Sequence, residues 1–215
     1  MALRQAVGNS GDVMLDGLAR RVIDPGLNRA GAALAARGVA ADWVTLAGLA
    51  LGLAAAGLIA WGHMGWLALI FLLCSRIADG LDGAVARVRG KTDFGGFLDI
   101  GCDFLFYGAI PMAFVLRDPA VNAVAGAFLL MTFYANGATF LGYAVLAEKR
   151  GMVTVGRGEK SLYFTAGLLE GTETIALFVV LCVWPQMFAP LAWAFGALCL
   201  VTALARVMLA RRVFR

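Results

Sequence analysis

The chain has 215 residues, of which 61% are hydrophobic and 15% charged, with a mean hydropathy of +0.83; an average soluble domain is roughly a quarter charged. The apolar excess falls in long runs, which excludes an ordinary soluble domain and points to membrane spans. The net charge of +4 is accounted for by basic residues flanking spans, where they set topology and meet anionic headgroups, and it calls for no nucleic acid partner.

The first forty residues carry Arg4, Arg20, Arg21, Arg29 and Arg37 with no uninterrupted apolar run, so no signal peptide is expected. From about residue 12 to 41, Leu15, Leu18, Val22 and Leu27 recur near helical spacing, with Pro25 as an interruption. That pattern predicts an amphipathic helix pair lying on the membrane surface. Six predicted spans follow, over residues 43–61, 66–86, 95–116, 120–146, 161–184 and 188–210. Each is close to the ~20 residues that cross a bilayer. No linker or repeat divides them. The expectation is an all-α protein with an interfacial segment over residues 1–42 and one six-helix membrane domain over residues 43–215.

Lys and Arg concentrate before the first span, between the second and third, between the fourth and fifth, and after the sixth; the opposite loops hold only Arg117. The positive-inside rule then puts both termini in the cytoplasm. Trp61, Trp66 and Trp184 mark the outer ends of spans as an aromatic belt would. His63, the single histidine, falls in an outer loop and reads as an interfacial residue. Cys74, Cys102, Cys182 and Cys199 sit in or beside apolar runs at spacings that suit neither zinc nor a disulfide framework.

The chemistry concentrates where the second span ends and the third begins. Asp79 and Asp82 are three residues apart, and Gly83 and Ala86 lie four and seven residues beyond Asp79. On a helix these share one face. Gly95, Asp99 and Asp103 recur at intervals of four, again one face. Two antiparallel neighbouring helices would therefore present four carboxylates to one another. Carboxylates in a membrane are costly and repel when clustered. Arg76 and Arg87 offer partial neutralisation, and hard divalent cations offer more. Two such ions ~3.5–4 Å apart clamp a phosphoryl group during in-line displacement. Gly80, Gly83 and Ala86 would leave room for a bulky phosphate ligand on the same surface.

Asp79-x-x-Asp82-Gly83-x-x-Ala86-Arg87, seven residues, then Gly95-x-x-x-Asp99-x-x-x-Asp103 resembles the signature of the CDP-alcohol phosphatidyltransferases, with every fixed position present. The six spans and the interfacial segment extend the resemblance over nearly the whole chain. It implies that Asp79, Asp82 and Asp99 hold two Mg²⁺ or Mn²⁺ ions. It implies that Asp103 is the general base and also touches one metal. Gly83 and Ala86 would admit the CDP diphosphate, Arg87 would sit beside it, and Gly95 would allow close packing against the nucleotide. The reaction implied is transfer of a phosphatidyl group from CDP-diacylglycerol to a small alcohol, by a homodimer of the bacterial inner membrane working on its cytoplasmic side. One departure is visible: where many members carry Pro-Asn before a Thr, this chain reads Ala41-Asp42-Trp43-Val44-Thr45. Asp42 and Thr45 remain candidates for the cytidine pocket, without the usual amide donor.

Between the fourth and fifth spans, Lys149, Arg150, Arg157 and Lys160 offer charges for an acceptor phosphate, such as that of a sugar or polyol phosphate. A basic loop binding lipid headgroups has the same appearance. The Gly-Arg-Gly-Glu-Lys-Ser stretch here has the wrong spacing for a P-loop and no preceding strand. Asn136, Glu170 and Glu173 lie inside spans and would face the protein interior, lining an acceptor pocket, pairing with Arg76, or serving packing through hydrogen bonds between spans. The competing reading is a cation carrier using the aspartates as a transit site. It expects polar, broken spans near the bilayer midplane, whereas these carboxylates gather at one face.

Overall fold

The computed structural model describes residues 15–62, 65–152 and 171–215, with side chains described from residue 25 onward. Among these the regular elements are helices: α1 (Leu15–Ala36), α2 (Ala41–Ala60), α3 (Gly65–Arg89), α4 (Asp93–Arg117), α5 (Pro119–Lys149), α6 (Gly171–Val183) and α7 (Phe188–Val213). A 3-10 turn at Pro185–Met187 leads into α7. The all-helical expectation holds. Helices α2, α4 and α5, and the stretch from Pro185 through α7, are long and apolar enough to cross a bilayer. Helix α3 has the length, 25 residues, but its second half carries Arg76, Asp79, Asp82, Arg87 and Arg89. Helix α6 is apolar over 13 residues; residues 161–170 of the predicted fifth span lie outside the described residues.

The expected helix pair at the N-terminus is instead one helix, with Pro25 inside α1. A proline costs a helix one backbone hydrogen bond and a steric clash. Packing beyond it holds the helix together. Leu27 lies over Gly80 of α3, and Gly31 sits so close to α3 that a Cβ there would lie 2.5 Å from that of Ala84. Gly80 is therefore used to seat α1, and the room expected there for a phosphate ligand is taken by Leu27.

Helix α2 packs against both α3 and α4, α5 pairs with α7, and α1 lies on α3. Glycines set the closest of these approaches. A Cβ at Gly48 would stand 3.2 Å from the Ala78 Cβ, and one at Gly52 would stand 2.5 Å from the Phe106 ring. Small residues at four-residue spacing let helices meet backbone to backbone, where dispersion and short polar contacts hold them. One such contact is the Ser75 hydroxyl donating to the Gly48 carbonyl at 2.7 Å. Phe106, Phe114, Phe178 and Phe188 fill the core, Phe114 stacked on Phe188 at 5.1 Å and Phe106 edge-on to Phe178 at 6.0 Å. Trp43, Leu53 and Trp61 point outward, an arrangement that lipid solvates and water would not.

Candidate metal centre

Gly90, Lys91 and Thr92 join α3 to α4. Gly90 ends α3 with φ +101°, a left-handed conformation that glycine adopts without Cβ strain. Its N–H donates to the Ala86 carbonyl at 3.0 Å. Thr92 begins α4, its hydroxyl oxygen accepting from the Gly95 N–H at 3.0 Å. So tight a reversal sets the register of two antiparallel helices. Asp79 lies twelve residues before Lys91, and Asp103 twelve after it. At ~1.5 Å rise per residue the two stand at the same depth.

Carboxylate oxygens of Asp79, Asp99 and Asp103 come within 4.8 Å of one another. The backbones of the two helices that supply them stay apart, both leaning on α2, and side chains bridge the space between them. Asp82 is more deeply buried, 6% exposed, and its Oδ2 accepts a 2.6 Å hydrogen bond from the Thr45 hydroxyl. The three converging oxygens, with Asp82 one turn away, form the hard, anionic donor set that Mg²⁺ or Mn²⁺ prefers. Among the described residues one cation lies within ion-pair distance of them. Arg76 Nη1 donates to Asp103 Oδ1 at 2.9 Å and stands 3.6 Å from Asp79 Oδ1. One positive charge against four carboxylates leaves room for divalent ions, and the residues present fit them.

The remaining predicted residues sort into three groups. Asp42 and Gly95 are brought together: a Cβ on Gly95 would lie 3.2 Å from Asp42 Oδ1. Gly83 opens toward Arg87, whose Nη1 would be 3.4 Å from a Cβ there, and Ala86 lies half-buried on the same helix. Among the described residues Arg87 forms no ion pair with Asp79, Asp82, Asp99 or Asp103. Its Nη2 donates to Asn28 Oδ1 of α1 at 2.8 Å, which presents the guanidinium beside Gly83. Thr45 reaches the site through Asp82.

The acceptor candidates do not form a cluster among the described residues. Lys149 is exposed at the end of α5. Arg150 is committed elsewhere, donating to the Val213 carbonyl at 3.1 Å and the Phe214 carbonyl at 2.5 Å and thereby capping α7. Arg157, Lys160 and Glu170 lie outside the described residues. Arg76 pairs with aspartates where a glutamate partner was one expectation. Asn136 has a partner the sequence reading missed: buried Arg206 of α7, whose Nη1 donates to the Asn136 side-chain oxygen at 2.8 Å and to its carbonyl at 2.9 Å. An arginine inside the last apolar run was the available signal.

The family model described as CDP-alcohol phosphatidyltransferase matches residues 38–205. The inner membrane protein YnjF of Escherichia coli (strain K12) is 46% identical over 196 residues, covering 90% of this chain and 94% of that protein. Among solved structures, Mycobacterium tuberculosis phosphatidylinositol phosphate synthase with CDP-DAG bound superposes with a TM-score of 0.67. That match covers 85% of this chain and 92% of the other at 23% identity, a likeness of fold.

Proposed function

Because the chain belongs to the CDP-alcohol phosphatidyltransferase family, we propose that its carboxylate centre moves a phosphatidyl group from CDP-diacylglycerol to a small alcohol. CMP leaves, and the product is a phospholipid. The observation that carries this reading is the convergence of Asp79, Asp99 and Asp103 oxygens within 4.8 Å, beside the small residues Gly83 and Gly95.

Asp79, Asp82, Asp99 and Asp103 would hold two divalent ions, Mg²⁺ or Mn²⁺. When bound, the ions supply the positive charge that offsets the diphosphate and the oxyanion departing with CMP. Gly83, Ala86 and Gly95 give the CDP diphosphate access to the helix surfaces, and Arg87, steadied by Asn28, meets its charge. Asp42 faces the nucleotide from the start of α2, while Thr45 orients Asp82. Asp103 takes the acceptor hydroxyl proton on Oδ2, since Oδ1 is held by Arg76. The acceptor oxygen then bonds to the lipid-side phosphorus as the bond from that phosphorus to the CMP oxygen breaks. The proton passes from Asp103 to water.

The acceptor fits best as a sugar or polyol phosphate, with Lys149, Arg157 and Lys160 as its phosphate partners. Arg150 contributes mainly by holding the end of α7. The bias of Lys and Arg supports a site on the cytoplasmic face of a bacterial inner membrane, with both termini cytoplasmic. The family resemblance supports a homodimer. Purified protein incubated with CDP-diacylglycerol, Mn²⁺ and a panel of alcohols tests the reading. CMP release that depends on one acceptor is expected; no release with any alcohol or alcohol phosphate overturns it.

A further inference from the structure

Arg76 is placed where an integral membrane protein has strong reason not to put a cation, in the middle of α3 beside the core. Its side chain is 15% exposed. One face and two of the three nitrogens of the guanidinium are engaged, while Nε is buried with no hydrogen-bond partner among the described residues. The Phe106 ring lies under it, 3.8 Å from centroid to Cζ. Nη2 donates to Ser75 Oγ at 3.2 Å, and that hydroxyl is itself tied to the Gly48 carbonyl. Nη1 donates to Asp103 Oδ1 at 2.9 Å, with Asp79 Oδ1 at 3.6 Å. A guanidinium braced by a ring and a fixed hydroxyl is a rigid donor fork, and a lysine cannot reproduce it.

From this geometry we propose that Arg76 is a positioning residue and a fixed third cation of the metal centre. It holds Asp103 by one oxygen so that Oδ2 alone faces the acceptor, and it tempers the affinity of the cluster for divalent ions. The inference deepens the proposed function and rests on its reading of Asp103 and the metal-holding aspartates. The electrostatic part has a counter-intuitive sign. A fixed positive charge beside Asp79 and Asp103 opposes the entry of a divalent cation. It also keeps the loaded centre attractive to an anionic diphosphate. Removing it should tighten metal binding while slowing the reaction.

The experiment uses the full chain purified in detergent. Mn²⁺ is titrated by the electron paramagnetic resonance signal of the free ion, and kcat and KM for CDP-diacylglycerol are measured alongside. Arg76→Met is expected to bind Mn²⁺ about tenfold more tightly and to lose about tenfold or more in kcat. Arg76→Lys keeps the charge without the fork; it is expected to hold Mn²⁺ within about twofold of wild type yet lose kcat about tenfold. Unchanged or weaker Mn²⁺ binding in Arg76→Met overturns the electrostatic role. Wild-type kcat in Arg76→Lys overturns the clamp, and Arg76→Gln, which also removes the charge, decides the electrostatic role where Arg76→Met does not fold. Asp79→Asn is the control for the underlying reading: if it binds Mn²⁺ as wild type does, the metal centre itself is wrong, whatever the Arg76 variants show.

Discussion

The Thr45 hydroxyl hands its hydrogen to Asp82 across 2.6 Å, joining the first turns of α2 to the acidic half of α3. Asp82 is the most deeply buried of the four aspartates, and a hydrogen bond to a buried charge contributes about 1.5–3 kcal/mol. Thr45→Val keeps the shape and removes the donor. It should lower CMP release by about tenfold or more, in line with that energy. Thr45→Ser should stay close to wild type. Equal losses in the two variants would point to packing of the methyl group in place of the hydrogen bond.

Asp79→Asn and Asp99→Asn each remove a charge from the converging triad. Both should abolish turnover in protein that still inserts and purifies. Excess chelator should do the same to the wild type, with Mg²⁺ or Mn²⁺ restoring the rate. Full activity in excess chelator would falsify the metal-dependent mechanism.

The base role proposed for Asp103 can be separated from ligation by experiment. Asp103→Asn should still bind Mn²⁺, more weakly for the loss of one carboxylate charge, and bind CDP-diacylglycerol nearly as wild type does, while kcat falls by about 10²–10⁴. Calorimetry on the variant checks the binding half. A loss of metal and nucleotide as complete as that of Asp79→Asn would reassign it as a ligand alone.

The proposed topology rests on the bias of Lys and Arg. A reporter fused after Arg215 should register the cytoplasm, and one inserted near His63 the opposite side. A C-terminus outside the cytoplasm would invert the arrangement and strand the site away from its nucleotide substrate.

Much of the centre was legible because it is local. Asp79 and Asp82, or Asp99 and Asp103, share a face through helix periodicity alone, and a short connection marked by Gly90 forces the two helices antiparallel. What escaped is long-range. Arg87 finds Asn28 across 59 residues of chain, Arg206 finds Asn136 across 70, and Arg150 finds Val213 across 63. No periodicity announces such pairs; they exist only once helices have chosen neighbours. The same choice let α1 run through Pro25, because contacts made by Leu27 and Gly31 offset the cost that local chemistry assigns to the proline. It also took Gly80 for packing, since a glycine facing a ligand and a glycine facing a helix look alike in sequence.

The turn at Gly90–Thr92 makes distance along the chain part of the site. Lys91 acts as a pivot with Asp79 and Asp103 at equal arm's length, so the seven residues between Arg87 and Gly95 are a ruler as much as a spacer. A chain with all the same acids and one residue more in that interval would offset its two arms by ~1.5 Å and about a quarter-turn. Searches for this chemistry should therefore weigh the gap length as heavily as the aspartates, and treat an insertion there as they would the loss of an acid.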